Sequence, residues 1–151
     1  MRVKKISLIE GLLACLFLLS FVSVLHAADD TRFTLKDGII DDSKLGLQWV
    51  PAPDRTMTHN QAEEYARNLS LAGGRWRLPT RAELRSLYDA SKPGGADPKF
   101  NAGEFWVWTS ELDGPSGAWD CDFLTGTGGR CRSDDSYANG TVRVLAVRSR
   151  R

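Results

Sequence analysis

The segment Trp76-Arg77-Leu78-Pro79-Thr80-Arg81-Ala82-Glu83-Leu84-Arg85-Ser86-Leu87-Tyr88 passes from extended chain to helix within five residues. Pro79 keeps Leu78 extended, because the proline ring crowds a preceding residue out of the helical region. Thr80 and Glu83 have the spacing of a capping box, so a helix starts directly after the proline. Leu84, Leu87 and Tyr88 give that helix its buried face, and Arg81 and Arg85 lie together on its outside, one turn apart. Lys92-Pro93-Gly94-Gly95 ends it. Upstream, Thr58 and Gln61 make a second capping box. Ala62, Tyr65, Ala66 and Leu69 follow as a single stripe, with Glu63, Glu64, Arg67 and Asn68 opposite, and Gly73-Gly74 closes the element.

On both sides of this helical pair the period changes to that of strands. Phe33 and Leu35 alternate, Asp37-Gly38 is a hairpin signal and Ile39-Ile40 opens a second strand. Asp42 to Gly46 turns the chain into a third, Leu47-Gln48-Trp49-Val50, which Pro51 and Pro53 break. After the helices, Trp106 and Trp108 share one face of a strand, with Phe105, Val107 and Thr109 on the other. Ala118 to Leu124 and Arg130 to Arg132 read as hairpin arms around a Gly-rich loop. Ser133 to Gly140 reads as a polar loop, and Thr141 to Arg148 as a β-branched strand. Strands, then grouped helices, then strands predict an α+β domain with both helices packed on one twisted, mostly antiparallel sheet.

The chain has 151 residues with 20 Lys+Arg against 19 Asp+Glu, which fits one domain plus a targeting segment and argues against a basic nucleic-acid binder. Neither a phosphate-binding loop, a dinucleotide fingerprint, H-E-x-x-H nor C-x-x-C occurs, so no cofactor or metal is expected. Arg2, Lys4 and Lys5 precede an uncharged apolar run from Gly11 to Leu25, and Leu25-His26-Ala27 offers small-residue cleavage. Residues 1–27 therefore read as a signal peptide and 28–151 as the domain. The apolar run falls short of the roughly 20 residues of a membrane span, so no stable span is expected after cleavage. An N-terminal anchor kept uncleaved is the main alternative, and two other readings of this segment are weaker. Leu12-Leu13-Ala14-Cys15 has the form of a lipoprotein box, but the apolar run continues past Cys15. Ile6 to Glu10 has the form of a pilin start, but Lys5 stands where a small residue is required. Cleavage would remove three of the 20 bases and one of the 19 acids, leaving 17 against 18. The remaining cysteines, Cys121 and Cys131, are an even pair suited to a disulfide in an oxidising compartment. The rival reading, a catalytic thiol, requires a base, and His59 is distant in sequence.

These residues also carry a resemblance. Asp37-Gly38, Asp41, Gly46-Leu47 and Trp49 are joined, in order, by Trp76-Arg77-Leu78-Pro79-Thr80 with Glu83-Leu84 and Leu87. Trp108-Thr109-Ser110 follows, then Ala118-Trp119 with Phe123 and Gly126, and last Val147-Arg148. The chain resembles the Lcl C-terminal-domain family of bacterial exported proteins, named for a collagen-like adhesin, over nearly all of 32–149. The resemblance implies an exported adhesion or binding module, and sulfated glycosaminoglycans, recognised by the namesake, as a ligand class. Many members carry cysteines at the places of Ala66 and Ala146, so that cross-link is missing here. The R-L-P-T-x-x-E segment is also similar to formylglycine-generating enzymes, which implies a C-type-lectin-like architecture. Their closely spaced cysteine pair has no counterpart, so an oxidase is a minor alternative.

Candidate ligand-binding residues are Arg75, Arg77, Arg81 and Arg85, in a segment where five arginines meet only one acid, and the half-strand aromatics Trp106 and Trp108. Arginine suits a sulfated polysaccharide or other anionic glycan through its planar, bidentate donors. The competing reading is solvated arginines and core tryptophans, and core is the reading favoured for Trp49, Trp76 and Trp119 inside the fold motifs. Asp120, Asp122, Asp134 and Asp135 lack a complete calcium-loop pattern. A single mature histidine without a nucleophile partner gives no catalytic constellation, so the expectation is a non-enzymatic glycan-binding or adhesion module, with an envelope structural or pilus-associated subunit as the alternative.

Overall fold

Three short strands come first: β1 (Phe33–Lys36), β2 (Ile39–Asp42) and β3 (Leu47–Val50). Their first turn places Asp37 and Gly38 at φ 52° and 77°, the left-handed pair that a two-residue hairpin of this twist requires. At the second, the Asp42 carboxylate accepts from Lys44 N–H at 3.0 Å, and Gly46 N–H returns to the Asp42 carbonyl. This computed structural model describes residues 32–51, 53–101, 106–115, 117–122, 130–134 and 142–150. The leader reading of 1–27, Phe105, Phe123 and the polar loop beyond Asp134 lie outside them.

Helix α1 is His59–Asn68 and helix α2 is Arg81–Ser86, and both capping boxes form as expected. Each helix stops earlier than its glycine signal. Leu69 turns extended after α1, and a 3₁₀ turn over Leu71–Gly73 takes up the remaining chain. Two further 3₁₀ turns, Pro93–Gly95 and Pro98–Phe100, carry the chain from α2 toward β4 (Trp106–Asp113). Then come β5 (Gly117–Asp122), β6 (Arg130–Asp134) and β7 (Ala146–Ser149).

The α+β class holds, but the strands form two sheets instead of one: β1-β2-β3-β7 and β4-β5-β6, each antiparallel. The seam between them is 142–149, most of the stretch Thr141 to Arg148 whose pattern predicts one continuous strand. Arg143 exchanges backbone hydrogen bonds with Trp106 and Trp108 of the second sheet; four residues on, Val147 pairs with Trp49 of the first. A chain that changes partner sheets must break its own ladder, and regular strand starts only at Ala146. Arg77 adds two reciprocal bonds to Val147, at 3.0 and 2.9 Å, so the extended piece before Pro79 lines the outer side of β7. Both helices pack toward the second sheet, α2 on β4 and β5 and α1 on β4.

Two apolar clusters fill the interior. In one, Trp49 and Phe33 both meet the fully buried Phe100 edge to face, at 5.7 and 4.9 Å. In the other, Trp108, Trp76, Leu78, Met57 and Val144 pack under Ala62 and Ala66 of α1. The indole N–H groups of Trp108 and Trp76 donate to the Met57 and Leu71 carbonyls, so two large rings are buried with their donors satisfied. Cys121 and Cys131 sit directly opposite each other on β5 and β6 and are disulfide-bonded, as the even pair predicts. Among the described residues no helix is long and apolar enough to cross a membrane.

Candidate functional site

Alternation along β2, β3 and β7 divides the first sheet into two faces. Ile40, Trp49 and Val147 point to the core, and Asp41, Gln48 and Arg148 come into register on the other face. There they form a chain: the Gln48 amide donates to Asp41 at 2.9 Å, and its carbonyl accepts from Arg148 Nε at 2.9 Å. Arg148 also donates to the Ala72 and Gly74 carbonyls, and its guanidinium lies 4.4 Å from the Trp76 ring centroid. A cation this deeply buried needs such satisfaction. Its effect is to clamp the 3₁₀ turn and Trp76 onto the sheet.

The clamped turn delivers two arginines to the surface. Arg75 has φ 65°, a left-handed conformation that costs a non-glycine residue roughly 1 kcal/mol, and its side chain is exposed. Arg77 makes a bidentate fork to Glu83, at 2.7 and 2.8 Å. Burial opposes ionisation of Glu83, but hydrogen bonds from the Arg77 guanidinium and the Thr80 N–H outweigh it and hold the carboxyl below its ordinary pKa. The same hydrogen bond raises the Arg77 pKa. The R-L-P-T-x-x-E segment thus contains its own ion pair. From the other side, Arg150 N–H donates to the Gly46 carbonyl, and its guanidinium stands 3.8 Å from Asp41 with 55% of the side chain exposed.

Arg75, Arg77, Arg148, Ser149 and Arg150 line one groove of about 380 Å³. Two of its arginines are fixed and shape the walls. Among the described residues the Arg150 guanidinium has only the long contact to Asp41, and Arg75 faces no carboxylate. The groove can therefore offer guanidinium donors to an anion without first breaking a tight ion pair.

The remaining candidates lie elsewhere. Arg81 binds the Glu111 carboxylate through both its backbone N–H and Nε, and it covers the Trp119 ring at 4.2 Å. Burial opposes the Glu111 charge, yet Arg81 and the nearby charge of Arg85 hold its pKa down. Arg85 is exposed on α2 and does not line the groove. Trp106 is half-buried beneath Arg132, 3.9 Å away. Trp108 is only 1% exposed and stands edge to face with His59, so it serves the core and has no face left for a ligand. His59 is equally buried, with Nε2 2.9 Å from the Thr109 carbonyl. Asp120 is buried against Arg132, and among the described residues no three metal-ligating side chains come together. Sequence reasoning missed Arg148 and Arg150 as groove residues. Their signal was the basic run at the end of the chain, but its placement depends on β7 pairing with β3.

The Lcl C-terminal domain family matches this chain over residues 38–148. No curated protein and no solved structure matches it, so the lectin-like architecture and the likeness to formylglycine-generating enzymes stay expectations of the sequence resemblance. The matched span takes in β2 to β6 whole, most of β7 and both helices, leaving β1 just outside it, and the chain belongs to the Lcl C-terminal domain family.

Proposed function

We propose that this is a non-catalytic binding module, exported to the cell envelope or surface, that holds an anionic polymer in the Arg75 groove, with a sulfated or otherwise acidic glycan as the ligand class. The observation that carries this reading is the pairing of fixed and available arginines in one groove: Arg148 and Arg77 are held by the fold, and Arg75 and Arg150 extend from it. Membership of the Lcl C-terminal domain family points to an exported protein. A non-catalytic role is supported by what the reactive side chains already do. Cys121 and Cys131 are joined, and His59 is buried against a backbone carbonyl.

Exposed guanidinium–anion contacts are individually weak, about 0.2–1 kcal/mol each, so useful affinity needs a polymer that repeats its charge. The test is a glycan array probed with the protein at low and at physiological ionic strength. Sulfated and carboxylated glycans should bind, and binding should weaken as salt shortens the Debye length from about 30 Å at 0.01 M to about 8 Å at 0.15 M. Failure to bind any acidic glycan at low salt would overturn the proposal.

A further inference from the structure

A second concavity lies on α1, away from the groove's residues. It is an open cleft of about 560 Å³, within the usual range of small-ligand sites, bounded by α1 and by the Arg55–Met57 segment. Its polar lining is Arg55, Thr56, Gln61, Glu64 and Asn68, and its aromatic member is Tyr65. Tyr65 is half-buried, with the Arg55 guanidinium 5.7 Å from the ring centroid, near the outer limit of a cation–π contact. The Gln61 carbonyl is occupied by the Thr58 N–H at 3.0 Å, so the capping box fixes this amide and directs its N–H₂ outward. Glu64 and Asn68 are exposed, and neither side chain bonds to another described residue.

The chemistry of this lining selects its occupant. One guanidinium and one carboxylate balance, so an anion drawn to Arg55 also meets Glu64. An apolar ligand would strip water from these polar groups and give nothing back, at about 1–3 kcal/mol for each group left unpaired. A polyol has hydroxyls that both donate and accept, which suits planar amide, carboxylate and guanidinium groups together. A pyranose also has an apolar C–H face for the tyrosine ring. We propose that this cleft is a binding site for an uncharged sugar unit of a glycan, separate from the arginine groove and independent of whether that groove binds anions. Burial raises the Tyr65 pKa, with Arg55 partly offsetting it, so the phenol remains a hydrogen-bond donor at neutral pH.

The experiment is a ¹⁵N NMR titration of the protein with two uncharged trisaccharides, N,N′,N″-triacetylchitotriose and cellotriose, at about 0.05 M and about 0.5 M NaCl. At least one should shift the Gln61, Tyr65 and Asn68 amides saturably, with an affinity that hardly changes with salt. Asn68→Ala, an exposed substitution at the last residue of α1, should weaken it about fivefold, the size of one lost hydrogen bond. Tyr65→Ala should abolish it, and heparin binding should be unaltered in both variants. No saturable shift with either sugar would overturn the proposal. So would shifts that a sulfated oligosaccharide produces and high salt removes, or shifts that Asn68→Ala leaves unchanged in a protein whose spectrum is otherwise intact.

Discussion

Arg75 and Trp108 show how differently two candidate ligand residues can end up. Trp108 is enclosed, so Trp108→Ala should cost about 3–5 kcal/mol in chemical denaturation through the cavity it leaves. A loss below 1 kcal/mol would mean that the ring is not core. Arg75 holds a left-handed conformation that glycine adopts without strain. Arg75→Gly should therefore leave stability within about 1 kcal/mol of wild type while removing a guanidinium from the groove. Glu83 makes a pH prediction. Its folded pKa lies below its unfolded value, so its ion pair stabilises the protein above the unfolded carboxylate pKa of about 4.3, and that contribution fades as pH falls through the folded value. Denaturation between about pH 6 and pH 3 should show Glu83→Gln losing less stability on acidification than wild type. Parallel curves would refute the assignment.

Elements defined by local chemistry were readable in advance, and those defined by partners were not. Thr58, Gln61, Thr80 and Glu83 announce two helix starts because a capping box closes within four residues, and Asp37-Gly38 announces its turn through backbone conformation alone. The same reasoning overran at the helix ends, where Leu69 leaves the helix although Gly73 was the visible signal. It also drew Thr141 to Arg148 as one strand, because nothing in the β-branched pattern shows that Arg143 pairs with β4 and Val147 with β3. Thr80→Ala, which removes the cap oxygen that accepts from Glu83 N–H, should cost about 1 kcal/mol and be visible as a lower melting temperature. Reducing the Cys121–Cys131 bond that ties β5 to β6 should cost on the order of 2–3 kcal/mol by releasing the loop it closes in the unfolded chain. An unchanged melting temperature in reductant would argue against that constraint.

For the whole molecule, the arginine groove exists because distant parts of the chain converge on one sheet face: the turn before Trp76, the start of α2 and the end of β7. The sequence segregates its arginines visibly, but it cannot show that Arg75 and Arg77 join Arg148 and Arg150 while Arg81 turns to Glu111. Those partners lie 30 or more residues away and meet only through the tertiary fold, by pairing along β7 and by packing of α2 on β4. The most direct test is heparin affinity at about 0.05 M and about 0.15 M NaCl for wild type, Arg75→Gly and the double variant Arg81→Ala/Arg85→Ala, with melting temperatures recorded alongside. The groove predicts salt-sensitive binding by wild type, a loss of about fivefold or more in Arg75→Gly without a fall in melting temperature, and near-wild-type binding by the double variant. Binding that survives Arg75→Gly and disappears with Arg81→Ala/Arg85→Ala would contradict the account and move the anion surface to α2.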